Sequence, residues 1–131
     1  MGEIVKHVVT TPLAPAAIGP YSQGIRAGNL LFVSGQIAID PATGALIDAK
    51  DIQSQTRRVL QNIQAILSAG GATIDTVVRT TVFLKDMNQF ADMNRVYGEF
   101  FREAPPARAT VEVARLPREV SVEIDCIAVV E

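Results

Sequence analysis

Hydrophobic and polar positions alternate along this chain in two distinct periods, and the switches between them outline the elements. Glu3 to Val9 carries enough Val and Ile for a first strand. Thr10 to Pro20 is then a stiff loop, because Pro12, Pro15 and Pro20 each fix their own φ. From Gly24 the pattern predicts a hairpin that turns at Ala27-Gly28-Asn29 and returns through Leu30 to Gln36. In that returning strand Phe32, Ser34 and Gln36 should point one way and Leu31, Val33 and Gly35 the other. Asp40 to Gly44 reads as a surface turn.

The period then changes to that of a helix. Ile52, Thr56, Val59, Leu60, Ile63, Ile66 and Leu67 make one stripe, with Asp51 as N-cap and Gly70-Gly71 as the stop. Asp75 to Leu84 predicts a strand that is largely apolar on both sides, hence central and covered on both faces. Asn88 is the expected cap of a second helix whose Phe90, Met93, Tyr97, Phe100 and Phe101 face the core, and Pro105-Pro106 close it. In the strand Ala109 to Val113 the apolar positions alternate with Thr110 and Glu112, so Arg108, Thr110 and Glu112 share a face. Leu116 to Glu119 turns the chain into a last strand, Val120 to Val130, with Ser121, Glu123 and Asp125 opposite Val122, Ile124 and Cys126.

The order β-β-β-α-β-α-β-β predicts an α+β fold, a mixed six-stranded sheet with two helices packed on one face, in a single domain spanning 1–131. The helix-free face is expected to carry Arg108, Thr110 and Glu123. Clefts between subunits packed on that face would suit a small ligand.

Composition narrows the function. At 48% hydrophobic residues and a mean hydropathy of +0.23, the 131-residue chain is apolar enough to expect part of its surface to be covered by another subunit. A net charge of -2 supplies no field for nucleic acid or anionic lipid, so a nucleic-acid partner is not expected. One cysteine, Cys126, and one histidine, His7, exclude an internal disulfide and a typical structural zinc site. Neither a secretory leader nor a membrane span is legible, so a cytoplasmic protein without membrane contact is expected. His7 reads as a surface residue, Cys126 as a small buried group, and Arg57-Arg58 as decoration of the first helix.

Tyr21, Ser34, Arg108 and Glu123 are the candidate site. A guanidinium presents a planar fork that matches a carboxylate, hydroxyls orient the remaining atoms, and an enclosed glutamate can handle a water. Water addition to an unsaturated, carboxylate-bearing molecule fits that set. Spacing alone leaves open a solvated face with an internal Arg–Glu pair.

The runs Ala16-Ala17-Ile18-Gly19-Pro20-Tyr21-Ser22-Gln23-Gly24, Val33-Ser34-Gly35-Gln36, Thr80-Thr81-Val82-Phe83-Leu84-Lys85-Asp86, Asn94 with Tyr97, and Pro106-Ala107-Arg108 through Leu116-Pro117, then Val122-Glu123-Ile124, resemble the Rid (reactive intermediate deaminase, YjgF-like) family over nearly the whole chain. The resemblance implies a chorismate-mutase-like fold in a homotrimer with clefts between subunits. It implies hydrolysis of enamines and imines such as 2-aminoacrylate and 2-aminocrotonate, released by pyridoxal-phosphate dehydratases, to 2-keto acids and ammonia, with no cofactor or metal. Arg108 matches the family's carboxylate-binding arginine, Tyr21, Ser34 and Gly35 match pocket positions, Asn94 a position near the site, and Glu123 the water-handling glutamate. Thr110 stands where many members have cysteine; if that position offers its backbone carbonyl to the water, threonine can do so equally. The competing readings are a non-catalytic binder of small carboxylates such as 2-keto acids, and an endoribonuclease or translation inhibitor.

Overall fold

The computed structural model describes residues 5–131. Its elements are β1 (Lys6–Val9), β2 (Gly24–Ala27), β3 (Leu30–Gln36), α1 (Ile52–Ala69), β4 (Val77–Leu84), α2 (Phe90–Phe100), β5 (Ala107–Glu112) and β6 (Val122–Val129), the α+β order that the pattern predicts. They form one six-stranded sheet in the order β1-β2-β3-β6-β4-β5. Every pairing is antiparallel except β4 with β5, which are parallel because the chain returns through α2.

The whole stripe expected of α1 is buried. It packs chiefly on β3 and β6, joining Leu31, Val33, Ile124, Cys126 and Ala128 in one buried cluster that also takes in Val82 and Leu84 of β4. Each fully buried Leu or Ile contributes about 1.5–3 kcal/mol, so this layer dominates the stability of the fold. Asp51 caps α1 as expected, accepting from the Ser54 N–H at 3.0 Å, and the bonds from Ser54 hold its carboxyl below the ordinary carboxylate range. Two amides that no stripe reveals tie the loop before α1 to the helix. Gln55 donates to the Ile47 carbonyl at 2.8 Å and accepts from Ser121 N–H, while Asn62 donates to the Ile39 carbonyl at 3.0 Å.

Several boundaries differ from the pattern. β1 starts at Lys6, and Glu3 and Ile4 lie outside the described residues. Ile74–Thr76 form a 3-10 turn, so β4 starts at Val77. Asn88 does not cap α2; the Asp86 carboxylate accepts from Asn88 N–H in a 3-10 turn over Met87–Gln89, and α2 begins at Phe90. The helix also ends at Phe100, short of Pro105-Pro106. β4 is covered on one face only within a chain, with Val78 46% exposed. β3 carries a bulge between Val33 and Gln36. Gln36 consequently turns inward and is buried, and Gly35 turns to the helix-free face, the reverse of simple alternation.

The largest correction concerns β5. Arg108, Thr110 and Glu112 do share a face, but it is the helix face, because they pair with Thr80, Val82 and Leu84, which are buried under the helices. Glu123 pairs with Phe83 and lies on the opposite, helix-free face. Val111, apolar and 41% exposed, is left on that open face. Val8 and Phe32 are exposed there too, at 62% and 40%.

Candidate functional site

The expected site residues fall into two clusters. In the first, Arg108 leaves the edge strand β5 beneath α2. Phe90, Asn94 and Tyr97 recur at four- and three-residue steps and therefore share one helix face. Arg108 Nη1 donates to Asn94 Oδ1 at 2.8 Å, and the guanidinium carbon lies 4.7 Å from the Tyr97 ring centre and 5.4 Å from that of Phe90. The Tyr97 hydroxyl in turn shares a 2.7 Å hydrogen bond with Thr80 Oγ1, fixing the ring. Phe90 and Tyr97, expected only as helix core, thus also form the slot that orients the arginine. Burial, only partly offset by Thr80 and Arg108, pushes the Tyr97 phenol above its ordinary value.

Arg108 makes no ion pair among the described residues, which leaves most of its five N–H donors for a ligand. Backbone geometry adds an acceptor beside it. Val113 N–H donates to the Leu84 carbonyl, so residues of that parity turn their backbone toward β4. Arg108, Thr110 and Glu112 therefore aim their N–H and C=O groups at the unpaired sheet edge. The Thr110 carbonyl is open to a water there, while its hydroxyl is buried on the helix side with no hydrogen-bond partner among the described residues.

The second cluster lies on the helix-free face. Tyr21, Ser34, Gly35 and Glu123 line one cleft of about 740 Å³, together with Ile18 and Arg118 among others. The β3 bulge and a missing side chain bring Glu123 here. An ideal Cβ on Gly35 would stand 2.1 Å from Glu123 Oε2, so the carboxylate lies directly across the glycine. Burial first, and the negative charge of Asp125 second, push the Glu123 carboxyl above the ordinary glutamate value. A group shifted in that direction holds or releases a proton nearer neutrality.

Tyr21 is 49% exposed at the cleft wall, where the Tyr21 N–H folds back on the Gly19 carbonyl at 2.8 Å around Pro20. Ser34 secures the same loop: its hydroxyl donates to the Ser22 carbonyl and its N–H to the Gln23 carbonyl. The Ser34 hydroxyl keeps acceptor capacity for a ligand while its proton is committed.

Gln23 is the residue that sequence reasoning missed. It is 3% exposed, accepts from Thr11 N–H at 2.7 Å, and donates to the carbonyls of Thr11, Ala14 and Pro15. That one amide holds the proline loop carrying Tyr21, a role without a periodic signature. Cys126 is buried, with its thiol pushed up to about 12 by burial, which keeps it a neutral thiol at ordinary pH. Among the described residues no three His, Cys, Asp or Glu side chains converge as a metal site. A second depression of about 770 Å³ beside His7 and Arg26 at the β1 edge is lined by no carboxylate among the described residues.

The two clusters do not meet within one chain. Arg108 and Glu123 sit on strands separated by β4, on opposite faces, roughly 10 Å apart across the sheet from strand spacing alone. Each half lacks what the other holds.

Residues 11–130 match the family model described as Endoribonuclease L-PSP. A RutC family protein of Pyrococcus horikoshii is 56% identical over 124 residues, covering 95% of this chain and 98% of the relative. The 2-iminobutanoate/2-iminopropanoate deaminase of Salmonella typhimurium is 50% identical over 128 residues, with 95% and 98% of the two chains covered. The crystal structure of Escherichia coli TdcF with bound serine superposes with a TM-score of 0.91 at 44% identity, covering 95% of this chain and 99% of that one.

Proposed function

Because the chain belongs to the Rid (YjgF-like) family, whose model is described as Endoribonuclease L-PSP, and carries two complementary half-sites, we propose that it is a 2-iminobutanoate/2-iminopropanoate deaminase. The observation that carries this reading is the pair of half-sites. One is an oriented guanidinium without an ion pair among the described residues and the other a partly desolvated carboxylate, each incomplete alone.

A neighbouring copy of the chain brings them together, in a homotrimer whose sheets pack by their helix-free faces. The exposed apolar side chains Val8, Phe32 and Val111 on that face support such packing. Arg108 of one copy pairs with the substrate carboxylate, while Tyr21, Ser34 and the Gly35 backbone of the next enclose the imine. Water held between Glu123 and the Thr110 carbonyl adds to the imine carbon, Glu123 taking a proton and passing it to nitrogen. The C–N bond of the resulting carbinolamine breaks, ammonia leaves, and a 2-keto acid remains. That the TdcF structure holds bound serine, a small amino acid, supports a small carboxylate-bearing ligand for this chain.

The test generates 2-aminocrotonate from threonine with a dehydratase and compares its loss with wild type, Arg108→Ala and Glu123→Gln. Wild-type acceleration abolished by Arg108→Ala is expected. No acceleration by wild type, despite binding of 2-oxobutanoate, would make this a carboxylate binder instead. The assembly is tested separately by sedimentation, where a monomer at working concentration contradicts a shared cleft.

A further inference from the structure

Arg118 enters the wall of the Glu123 cleft in a conformation that non-glycine residues seldom adopt. Its φ is 56° and that of Glu119 is 59°, two consecutive left-handed residues. Strain of this kind persists where the surroundings over-determine the turn. Pro117 opens the turn, Val120 N–H closes it on the Pro117 carbonyl, and the Glu119 carboxylate is gripped by both Lys85 and Arg115. The two neighbouring cations are thereby consumed. Arg118 is left without an ion pair among the described residues and lines the cleft with Glu123, Tyr21 and Ser34. Asp40, the other acid of that wall, already accepts the Ala42 N–H at 2.8 Å.

Arg108 cannot be the cation that serves this cleft from within the same chain, since the sheet lies between them. Arg118 therefore stands on the cleft wall opposite the side from which the neighbouring copy would bring Arg108, with Glu123 lining the same cleft. A second guanidinium without an ion pair among the described residues, on the wall away from the one that takes the α-carboxylate, suits a substrate with a second anionic end.

We propose that Arg118 is a specificity residue that binds a distal carboxylate, so that 2-imino dicarboxylates are substrates alongside 2-iminobutanoate. The proposal rests on the deaminase reading. Arg108 of the neighbouring copy takes the α-carboxylate, Arg118 the far one, and the imine carbon lies between them near Glu123. The reaction balances as before: C=N is replaced by C=O, water supplies the oxygen, its two hydrogens leave on ammonia, and no redox partner is required.

The experiment makes 2-iminosuccinate and 2-iminoglutarate in place with an acidic-amino-acid oxidase, and 2-iminobutanoate with a dehydratase, and measures kcat/KM for each. Wild type is compared with Arg118→Asn, which tolerates left-handed backbone, and with Arg118→Lys, which keeps the charge without the fork. The ratio of kcat/KM on the dicarboxylates to that on 2-iminobutanoate should fall about tenfold in Arg118→Asn and be largely restored in Arg118→Lys. Tenfold is the low end for a charge-assisted contact, chosen because Arg118 is exposed in a single chain. An unchanged ratio, or a wild type active on 2-iminobutanoate alone, overturns the role of Arg118. A wild type inactive on every imine overturns the deaminase reading instead.

Discussion

Replacing Gly35 by alanine tests whether the placement of Glu123, rather than its mere presence, matters. The new Cβ would stand 2.1 Å from Glu123 Oε2 and 3.0 Å from Cδ. Carbon and oxygen do not normally approach closer than about 3.2 Å, so the carboxylate must retreat by about 1 Å. It is the free end of a flexible side chain, and Gly35 carries no positive φ, so the backbone has no reason to move. The fold should therefore lose less than about 1 kcal/mol, partly offset by the lower unfolded-state entropy of alanine. A 1 Å displacement of a group that positions water can lower the rate about a hundredfold. Gly35→Ala is thus expected to unfold near the wild-type urea midpoint and to hydrolyse 2-iminobutanoate about 10²-fold more slowly. The Glu123 carboxyl, pushed toward solvent, should titrate closer to its ordinary value in an NMR pH series. An enzyme of wild-type rate with Glu123 still raised would refute the reasoning, as would a variant that fails to fold.

Three further outcomes follow from the same geometry. Thr110→Val removes a buried hydroxyl that has no partner among the described residues, so urea unfolding should show a gain of about 1 kcal/mol, with turnover kept within a few-fold if only the backbone carbonyl serves the water. Glu123→Gln should stabilise the protein at pH 7, because a carboxyl raised above 4.5 by folding takes up protons in the native state and loses stability as pH rises through its native value. Melting temperatures of wild type and Glu123→Gln should converge below pH 4.5, and a gap that instead widened on acidification would contradict the shift. Gln23→Leu strands the Thr11 N–H and three carbonyls, and should cost about 3 kcal/mol or more by urea denaturation while leaving the Tyr21 loop open to proteolysis.

The candidate site was legible in the sequence as a set of residues, though not as an arrangement. Gly-Pro-Tyr, Val-Ser-Gly-Gln, Pro-Ala-Arg and Val-Glu-Ile are local strings, and each carries its chemistry in its own residue types. Gln23 and Arg118 escaped because their roles are set by partners elsewhere in the chain. Gln23 binds residues 8 to 12 positions away, and Arg118 lies beside a Glu119 already paired with Lys85 and Arg115.

What the sequence determined by itself was period and order: the buried α1 stripe, the alternation of β6, and the β-β-β-α-β-α-β-β succession. Alternation says that Arg108, Thr110 and Glu112 share a face, and it is silent on which one, since a strand has two equivalent sides until it is paired. Tertiary structure decided that. The parallel register of Arg108 with Thr80 turned the arginine beneath α2, and the antiparallel register of Glu123 with Phe83 turned the glutamate away. The β3 bulge, likewise invisible to a period of two, laid Gly35 under Glu123. Pairing and packing thus parted an arginine and a glutamate that the sequence alone had placed on one face.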